Sequence, residues 1–154
     1  MTLAAGAQVA DFTLDSTDGR FSLADVRGST LVLYFYPKDN TPGCTSESAD
    51  FRDLHPAFVA AGARVCGVSR DSLRSHDNFR TKLGLPFALL SDPDELLCGQ
   101  FGVMKLKNMY GKQVRGVERS TFVIDGQGRL VREWRGVKVP GHAAEVLAFV
   151  QSMS

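Results

Sequence analysis

Residues 30–44 constrain the fold of this chain more than any other stretch. Their first half, residues 31–36, is an unbroken run of aliphatic and aromatic side chains that Pro37 ends. A run this short, made of such residues, is typical of a strand that is buried on both faces of a sheet. We therefore expect the chain to build its sheet on both sides of this strand.

The second half of the stretch has the signals of a helix start. Thr41 is a good N-cap residue, Pro42 suits the first helical position, and Cys44 then falls in the first turn. The amide groups of a first turn lack partners within the helix and carry partial positive charge, so they favour the thiolate form of a cysteine. The sequence thus predicts an activated cysteine at the carboxyl end of a central strand, where α/β sheets gather their chemistry.

The rest of the chain continues this alternation of strands and helices. It predicts an α/β protein with a central mixed β-sheet, helices on both faces and an N-terminal β-hairpin, in one domain over residues 1–154. The helix from Pro42 is expected to kink at Pro56. Residues 103–118 lack a clear period and are expected to form a basic loop or a frayed strand. The other expected elements are a hairpin at 12–15 and 19–23, strands at 63–69, 87–90, 120–125 and 130–134, and helices at 73–83, 93–101 and 140–153.

Charge and cysteine content argue against several classes of function. The net charge is +1 and no basic run is present, so we expect neither a nucleic-acid partner nor a membrane surface. The first residues do not form a signal peptide, and no stretch is apolar enough to cross a bilayer. Three cysteines, an odd number, argue against a disulfide scaffold, and we expect a cytoplasmic protein.

Two separate segments match the pattern of a known family. Pro37-Lys-Asp-Asn-Thr41-Pro-Gly-Cys44 follows Pro-x-x-x-Thr-x-x-Cys, and Arg119-Ser-Thr-Phe-Val-Ile-Asp125 matches the context of a distant arginine. On these residues the chain resembles the peroxiredoxins, and residues 36–45 are most similar to the bacterioferritin comigratory protein subgroup, also called peroxiredoxin Q. The resemblance extends over nearly the whole chain and implies a thioredoxin-like fold.

This resemblance also implies an activity and a set of site residues. The activity is that of a cofactor-free thiol peroxidase that reduces hydrogen peroxide and organic hydroperoxides, in antioxidant defence and redox homeostasis. By position, Cys44 is the expected peroxidatic nucleophile, and Thr41 and Arg119 are expected to bind the peroxide oxygens and support the thiolate. Residues expected to shape the pocket are Pro37, Pro42 and Glu47, of which the last matches a common family acid or is a simple helix-dipole partner.

Many relatives carry a resolving cysteine at positions where this chain has none. The position five residues after the peroxidatic cysteine is Ala49, and the alternative on the next helix is near Arg80. Cys66 lies in an apolar strand and is expected to be a core thiol. Cys98 is expected to pack in the core or to resolve Cys44 after local unfolding. The expected reductant is thioredoxin or a small-molecule thiol, and we expect a monomer or a weak homodimer.

Ionisation of the cysteine cannot by itself explain a fast peroxidase. At an ordinary pKa of about 8.5, roughly 3% of a thiol is ionised at pH 7, and lowering the pKa to about 6 gains about thirtyfold. Enzymes commonly accelerate reactions by 10⁶-fold or more. The larger part must come from alignment of the peroxide and from stabilisation of charge on the departing oxygen, which suits the guanidinium of Arg119.

Two other functions stay open at this point, namely a thiol-disulfide reductase or isomerase on the same fold and a non-catalytic binding module. A reductase with a Cys-x-x-Cys pair would need its other thiol where Thr41 stands. A metal site is not expected, because the three histidines have no ligand spacing. They are interpreted as surface or capping residues: His55, His76 and His142.

Overall fold

The computed structural model describes residues 5–153 of the chain. Four α-helices and nine strands occur in this part, together with one short 3-10 helix at Leu23–Val26. The strands are β1 (Thr13–Ser16), β2 (Gly19–Ser22), β3 (Thr30–Phe35), β4 (Ala63–Ser69), β5 (Leu89–Ser91), β6 (Met104–Met109), β7 (Lys112–Val117), β8 (Ser120–Ile124) and β9 (Leu130–Arg135). The helices are α1 (Pro42–Ala60), α2 (Leu73–Leu83), α3 (Leu96–Gln100) and α4 (His142–Ser152).

Seven of the strands form one mixed sheet in the order β2-β1-β5-β4-β3-β8-β9. β3 pairs in parallel with β4 and antiparallel with β8, so it has a partner on each side. β1 and β2 form the N-terminal hairpin and join the sheet through β5. The predicted mixed sheet, its N-terminal hairpin and the central place of the strand after residue 30 are therefore confirmed.

Both faces of β3 are buried, as its continuous apolar run predicts. Alternate side chains point to opposite faces of a strand, so β3 contributes to two separate hydrophobic clusters. We call them the α1 face, which α1, α2 and α4 cover, and the α3 face, which α3 and the 3-10 helix cover. The α1 face takes Val32, Tyr34 and Tyr36 together with Cys44, and the α3 face takes Leu31, Leu33 and Phe35 together with Cys66 and Cys98.

α1 does not break at its internal proline. The helix runs as a single element of 19 residues with Pro56 inside it, and the kink expected at this proline stays a prediction. Pro56 is on the exposed side of α1, whereas Phe51 and Phe58 on either side of it are fully buried. Burial of these two aromatic side chains stabilises the helix across the hydrogen bond that proline cannot make.

Residues 103–118 form a second, two-stranded sheet, so the expectation of a basic loop or frayed strand is wrong. β6 and β7 pair antiparallel from Met104↔Val117 to Met109↔Lys112. Tyr110 and Gly111 connect them with φ of 53° and 79°, the left-handed pair that a tight two-residue hairpin turn requires. Most side chains of this hairpin are exposed, which explains why no alternation of apolar and polar residues predicts it.

None of the helices within residues 5–153 has the length and the apolar character that crossing a lipid bilayer would require.

Candidate active site

Cys44 lies where the sequence predicts it, in the first turn of α1 at the carboxyl end of β3. Pro42 is the first residue of α1, and Thr41 has the extended N-cap conformation with φ −86° and ψ 152°. Cys44 is fully buried in the cluster on the α1 face, in which Phe51 belongs to the same helical stripe. Its sulfur is thus held inside the protein, next to the unpaired first-turn amides.

Arg119 reaches Cys44 from the far end of the sequence. It directly precedes β8, and because β8 runs antiparallel to β3 with Ser120 opposite Phe35, Arg119 arrives at the carboxyl end of β3. Its Nη2 lies 3.4 Å from Cys44 Sγ and donates a hydrogen bond to it, across 75 residues of sequence. The guanidinium therefore places a permanent positive charge beside the sulfur.

Glu47 holds the other end of this guanidinium. One turn after Cys44, its Oε1 accepts a hydrogen bond from Arg119 Nη1 at 2.7 Å, and the Glu47 side chain is only 1% exposed. Burial raises the pKa of Glu47 to about 7, against the opposing charge of Arg119. Burial also acts to lower the pKa of Arg119, but Glu47 and Cys44 outweigh it, so that the pKa lies above its ordinary value. Glu47 therefore sets the orientation of the guanidinium.

The glycine before the cysteine makes room for this arrangement, which sequence reasoning did not identify. A Cβ added at Gly43 would lie 3.0 Å from Arg119 Nη2, closer than most real Cβ contacts. Glycine in a helix is less stable than alanine by roughly 0.5–1 kcal/mol, and Gly43 stands in the first turn of α1. A glycine inside a predicted helix was therefore the sequence signal that another group approaches the backbone at residue 43.

Thr41 does not use its hydroxyl as the N-cap pattern predicts. Thr41 is the N-cap residue as predicted, but its Oγ1 donates to Lys38 O at 2.9 Å and α1 has no side-chain cap hydrogen bond. The backbone of Thr41 instead accepts from Thr45 N at 2.9 Å. The hydrogen bonds described for residues 5–153 include none from this hydroxyl to Cys44 or Arg119. Pro37 is half-buried and Pro42 is exposed, and the pocket-shaping role of both stays a prediction.

The structure does not bring the other two cysteines to the site. Cys66 and Cys98 belong to the α3 face, across the sheet from Cys44, and all three thiols are free. Burial raises the pKa of Cys66 to about 12. Burial, and then the carboxylate of Asp92, raise the pKa of Cys98 well above its ordinary range. Both thiols are therefore poor nucleophiles in the folded protein.

Two of the three histidines are in the core, so their interpretation as surface or capping residues is wrong. His76 is fully buried and His142 is 5% exposed. His142 Nε2 lies 2.8 Å from Thr121 Oγ1, and His76 has an oxygen partner at each ring nitrogen. Buried polar groups need such partners, and these come from strands and loops distant in sequence. His55 is half-buried beside Phe87.

Comparisons with known proteins identify the family of the chain. The AhpC/TSA family matches residues 5–133, a span that includes both Cys44 and Arg119. Peroxiredoxin Bcp of Xanthomonas campestris pv. campestris is 59% identical over 125 residues, which are 81% of this chain and 78% of that protein. Peroxiredoxin Bcp of Bacillus subtilis is 48% identical over 155 residues, 100% of this chain and 99% of that protein. A solved structure of the Xanthomonas campestris bacterioferritin comigratory protein, concerned with its alkyl peroxide reduction activity, has a TM-score of 0.88 at 53% identity and covers 92% of this chain and 91% of that one.

Proposed function

Since this chain belongs to the AhpC/TSA family and is a peroxiredoxin, a thiol-dependent peroxidase, we propose that Cys44 supplies the thiol that attacks the peroxide. The observation that carries the proposal is the hydrogen bond of 3.4 Å between Arg119 Nη2 and Cys44 Sγ. A fixed cation beside a sulfur at a helix start favours the thiolate, which is the attacking species.

The reaction follows from the positions of these groups. The thiolate attacks one oxygen of the peroxide, so that an S–O bond forms while the O–O bond breaks. Cys44 is oxidised to a sulfenic acid, and the other oxygen leaves with the bonding electrons and takes up a proton to become an alcohol or water. Arg119 stabilises the charge that develops on the two oxygens, because a guanidinium offers several donors in a fixed plane.

Thr41 and Glu47 assist this step in different ways. Glu47 orients the guanidinium through its contact of 2.7 Å with Arg119. We infer that the hydroxyl of Thr41 turns from Lys38 O towards the peroxide when substrate binds, because it lies just before the first turn of α1 and can both donate and accept. Pro37 and Pro42 limit the space on either side of this loop.

The substrate class that we propose is hydrogen peroxide and alkyl hydroperoxides. Support comes from the homologous bacterioferritin comigratory protein of Xanthomonas campestris, whose alkyl peroxide reduction activity is described.

We propose that an external thiol, with thioredoxin as the first candidate, reduces the sulfenic acid. Its thiolate attacks the oxidised sulfur and releases water, and a second thiol then breaks the mixed disulfide and frees Cys44. Cys98 is a weak candidate for this step, since it is buried on the opposite face of the sheet and its pKa is raised. Because Cys44 is also buried, a protein thiol requires the first turn of α1 to open.

The test is thioredoxin-coupled peroxide turnover of the wild type and of Cys44→Ser, Cys66→Ser and Cys98→Ser. We expect Cys44→Ser to abolish turnover, while the other two variants keep at least about half of it, because their thiols are remote from the site. Turnover that survives in Cys44→Ser would overturn the assignment. Mass spectrometry of peroxide-treated protein then separates the routes of reduction, since a Cys44–Cys98 disulfide would refute direct reduction by an external thiol.

We also propose a cytoplasmic location and a monomer or weak homodimer. Free cysteines are stable in a compartment that keeps thiols reduced, and the described cysteines are all free. Cell fractionation with antibody detection tests the location, and a signal confined to an oxidising compartment would contradict it. Sedimentation velocity of the 16.8 kDa chain tests the assembly, and a stable higher oligomer would contradict that proposal.

A further inference from the structure

A buried polar network lies next to the loop that leads into α1. Its centre is Asp39, five residues before Cys44 and only 4% exposed. Tyr36 Oη donates to Asp39 Oδ1 at 2.7 Å, and Ser75 Oγ donates to Oδ2 at 2.8 Å. His76 Nδ1 lies 2.8 Å from the same Oδ2. The carboxyl group thus has hydrogen-bond partners from Tyr36, which directly follows β3, and from two residues of α2.

Both ring nitrogens of His76 have a hydrogen-bond partner. Its Nε2 lies 2.9 Å from Leu90 O, and a carbonyl oxygen can only accept, so Nε2 donates. At Nδ1 the partner is Asp39, whose pKa lies below its ordinary value because hydrogen bonds from His76, Tyr36 and Ser75 outweigh the opposing effect of burial. The side chains of His76 and Asp39 are 0% and 1% exposed, so the hydrogen bond between them is shielded from water.

A second acid ties the backbone of the same loop to the sheet. Asp71 Oδ2 accepts from Asp39 N at 2.8 Å and from Ser69 Oγ at 2.6 Å. Ser91 Oγ donates to Asp71 O at 2.6 Å. Oxygen and nitrogen atoms of Asp39, Asp71 and His76 lie within 4.8 Å of one another. These atoms already form hydrogen bonds with other protein groups, so we interpret the cluster as structural and not as a metal site.

Such a pair contributes more to geometry than to stability. Burying polar side chains costs desolvation energy that their hydrogen bonds only offset, and apolar replacements of buried polar pairs can be as stable. The loop beside it is also in an uncommon conformation, because Asn40 has φ of 65° although it is not glycine. Asn40 directly follows Asp39, the centre of the buried network, and directly precedes Thr41.

We propose that the buried His76–Asp39 pair is a positioning device of the peroxidase site, which holds residues 37–41 so that the bound peroxide is aligned with the Cys44 sulfur. This inference rests on the proposed role of Cys44. Neither His76 nor Asp39 touches substrate, and both act through the loop.

Two matched tyrosines, one on β3 and one directly after it, provide the test. Tyr36→Phe removes one hydroxyl donor from Asp39, whereas Tyr34→Phe removes a hydroxyl that contacts Ser48 Oγ at 2.9 Å in the same cluster. One hydrogen bond is worth about 1 kcal/mol, which corresponds to about fivefold in a rate. We therefore expect Tyr36→Phe to lower the second-order rate constant with peroxide about fivefold and Tyr34→Phe to leave it within about twofold.

A second reagent separates positioning from damage to the fold. The rate at which iodoacetamide alkylates Cys44 depends on the nucleophilicity and exposure of the thiol, but not on how the site binds a peroxide. We expect the alkylation rate to change less than about twofold in Tyr36→Phe, so that only the peroxide reaction is impaired. His76→Gln is expected to lower the peroxide rate constant by at least about tenfold, because it disrupts the ring contacts to both Asp39 and Leu90. A urea midpoint for each variant verifies that it is folded.

Equal peroxide rates in Tyr36→Phe and Tyr34→Phe, or parallel losses in peroxide reaction and alkylation, would overturn the positioning role. If Cys44→Ser still consumed peroxide, the proposed function would fail instead, and this result does not depend on either tyrosine. A selective loss of the peroxide reaction in Tyr36→Phe, with the alkylation rate of the wild type, supports the inference.

Discussion

Arg119 uses separate nitrogens of one guanidinium to contact the two acidic groups of the site. Nη2 donates to Cys44 Sγ at 3.4 Å and Nη1 to Glu47 Oε1 at 2.7 Å. A lysine ammonium is a point charge on a flexible stem and cannot keep both contacts at fixed separation. The site therefore depends on the shape of this cation as well as on its charge.

Replacement of Arg119 by lysine tests that dependence. We expect Arg119→Lys to lower the second-order rate constant for peroxide by about 100-fold, because one oriented donor to the developing charge is worth about 3 kcal/mol. The matched control is Arg115→Lys on the exposed hairpin, where the side chain is 54% exposed, and it should stay within about twofold. Stopped-flow mixing with peroxide gives both constants, and similar values for the two variants would contradict the role of the guanidinium plane.

Glu47 gives the folded protein an unusual dependence on pH. Its pKa is about 7 in the folded protein and 4.5 ordinarily, so between these values the folded state holds a proton that the unfolded state has released. Stability must therefore fall as pH rises through this window, by at most about 3 kcal/mol. Glu47→Gln lacks this titration and should lose less stability than the wild type between pH 5 and pH 8.

Urea denaturation at the two pH values measures this difference directly. The comparison with Glu47→Gln cancels the contributions of other titrating groups, provided that they are unchanged. Parallel losses of stability in wild type and variant would mean that Glu47 ionises in its ordinary range, and that Arg119 outweighs burial.

The sequence predicted some of these residues better than others. The position of Cys44 follows from local signals, since Pro37 ends the strand and Pro42 starts the helix. Arg119 was identified only through the family resemblance, because no local pattern reports a contact across 75 residues. The burial of His76 was missed for a related reason, since its partners come from two other elements.

At the scale of elements, the junction of β3 and α1 determines whether the guanidinium fits. Gly43 in the first turn leaves the space that Arg119 Nη2 occupies. The prediction of β3 and α1 from sequence was accurate because three signals indicate the same boundary: the apolar run of the strand, the positions of Pro37 and Pro42, and the apolar stripe of the helix. The β6–β7 hairpin could not be predicted in that way, because its exposed strands lack a buried face and its Tyr110–Gly111 turn has no strong sequence signal.

Gly43→Ala tests the fit of helix and guanidinium, with Gly99→Ala in α3 as its control. A Cβ at Gly99 meets nothing within 4 Å, whereas one at Gly43 would press on Arg119. Both changes should raise intrinsic helix stability by up to about 1 kcal/mol. We expect only Gly43→Ala to lower the peroxide rate constant, by at least about tenfold, because Arg119 must move away from the sulfur. Unchanged rates in Gly43→Ala would show that the guanidinium adapts.

At the scale of the whole molecule, the sheet separates the thiols. Cys44 lies on the α1 face, and Cys66 and Cys98 lie on the α3 face. β3 contributes alternate side chains to both clusters, so loss of either cluster removes support from the same strand. The mixed sheet and the thioredoxin-like fold expected from the sequence are confirmed, and the placement of the thiols on opposite faces required the strand order as well.

This shared strand predicts that both faces unfold together, as expected of the single domain that we propose. Trp134 reports on the α1 side, since its Nε1 donates to Glu145 Oε2 on α4 at 2.6 Å. Cys66 and Cys98 report on the α3 side through pulse labelling with a thiol reagent, measured in Cys44→Ser. The urea midpoints from tryptophan fluorescence and from labelling should agree within about 0.3 M, as for a two-state transition. Two separated midpoints would mean that the faces belong to independent folding units, and would refute the single domain.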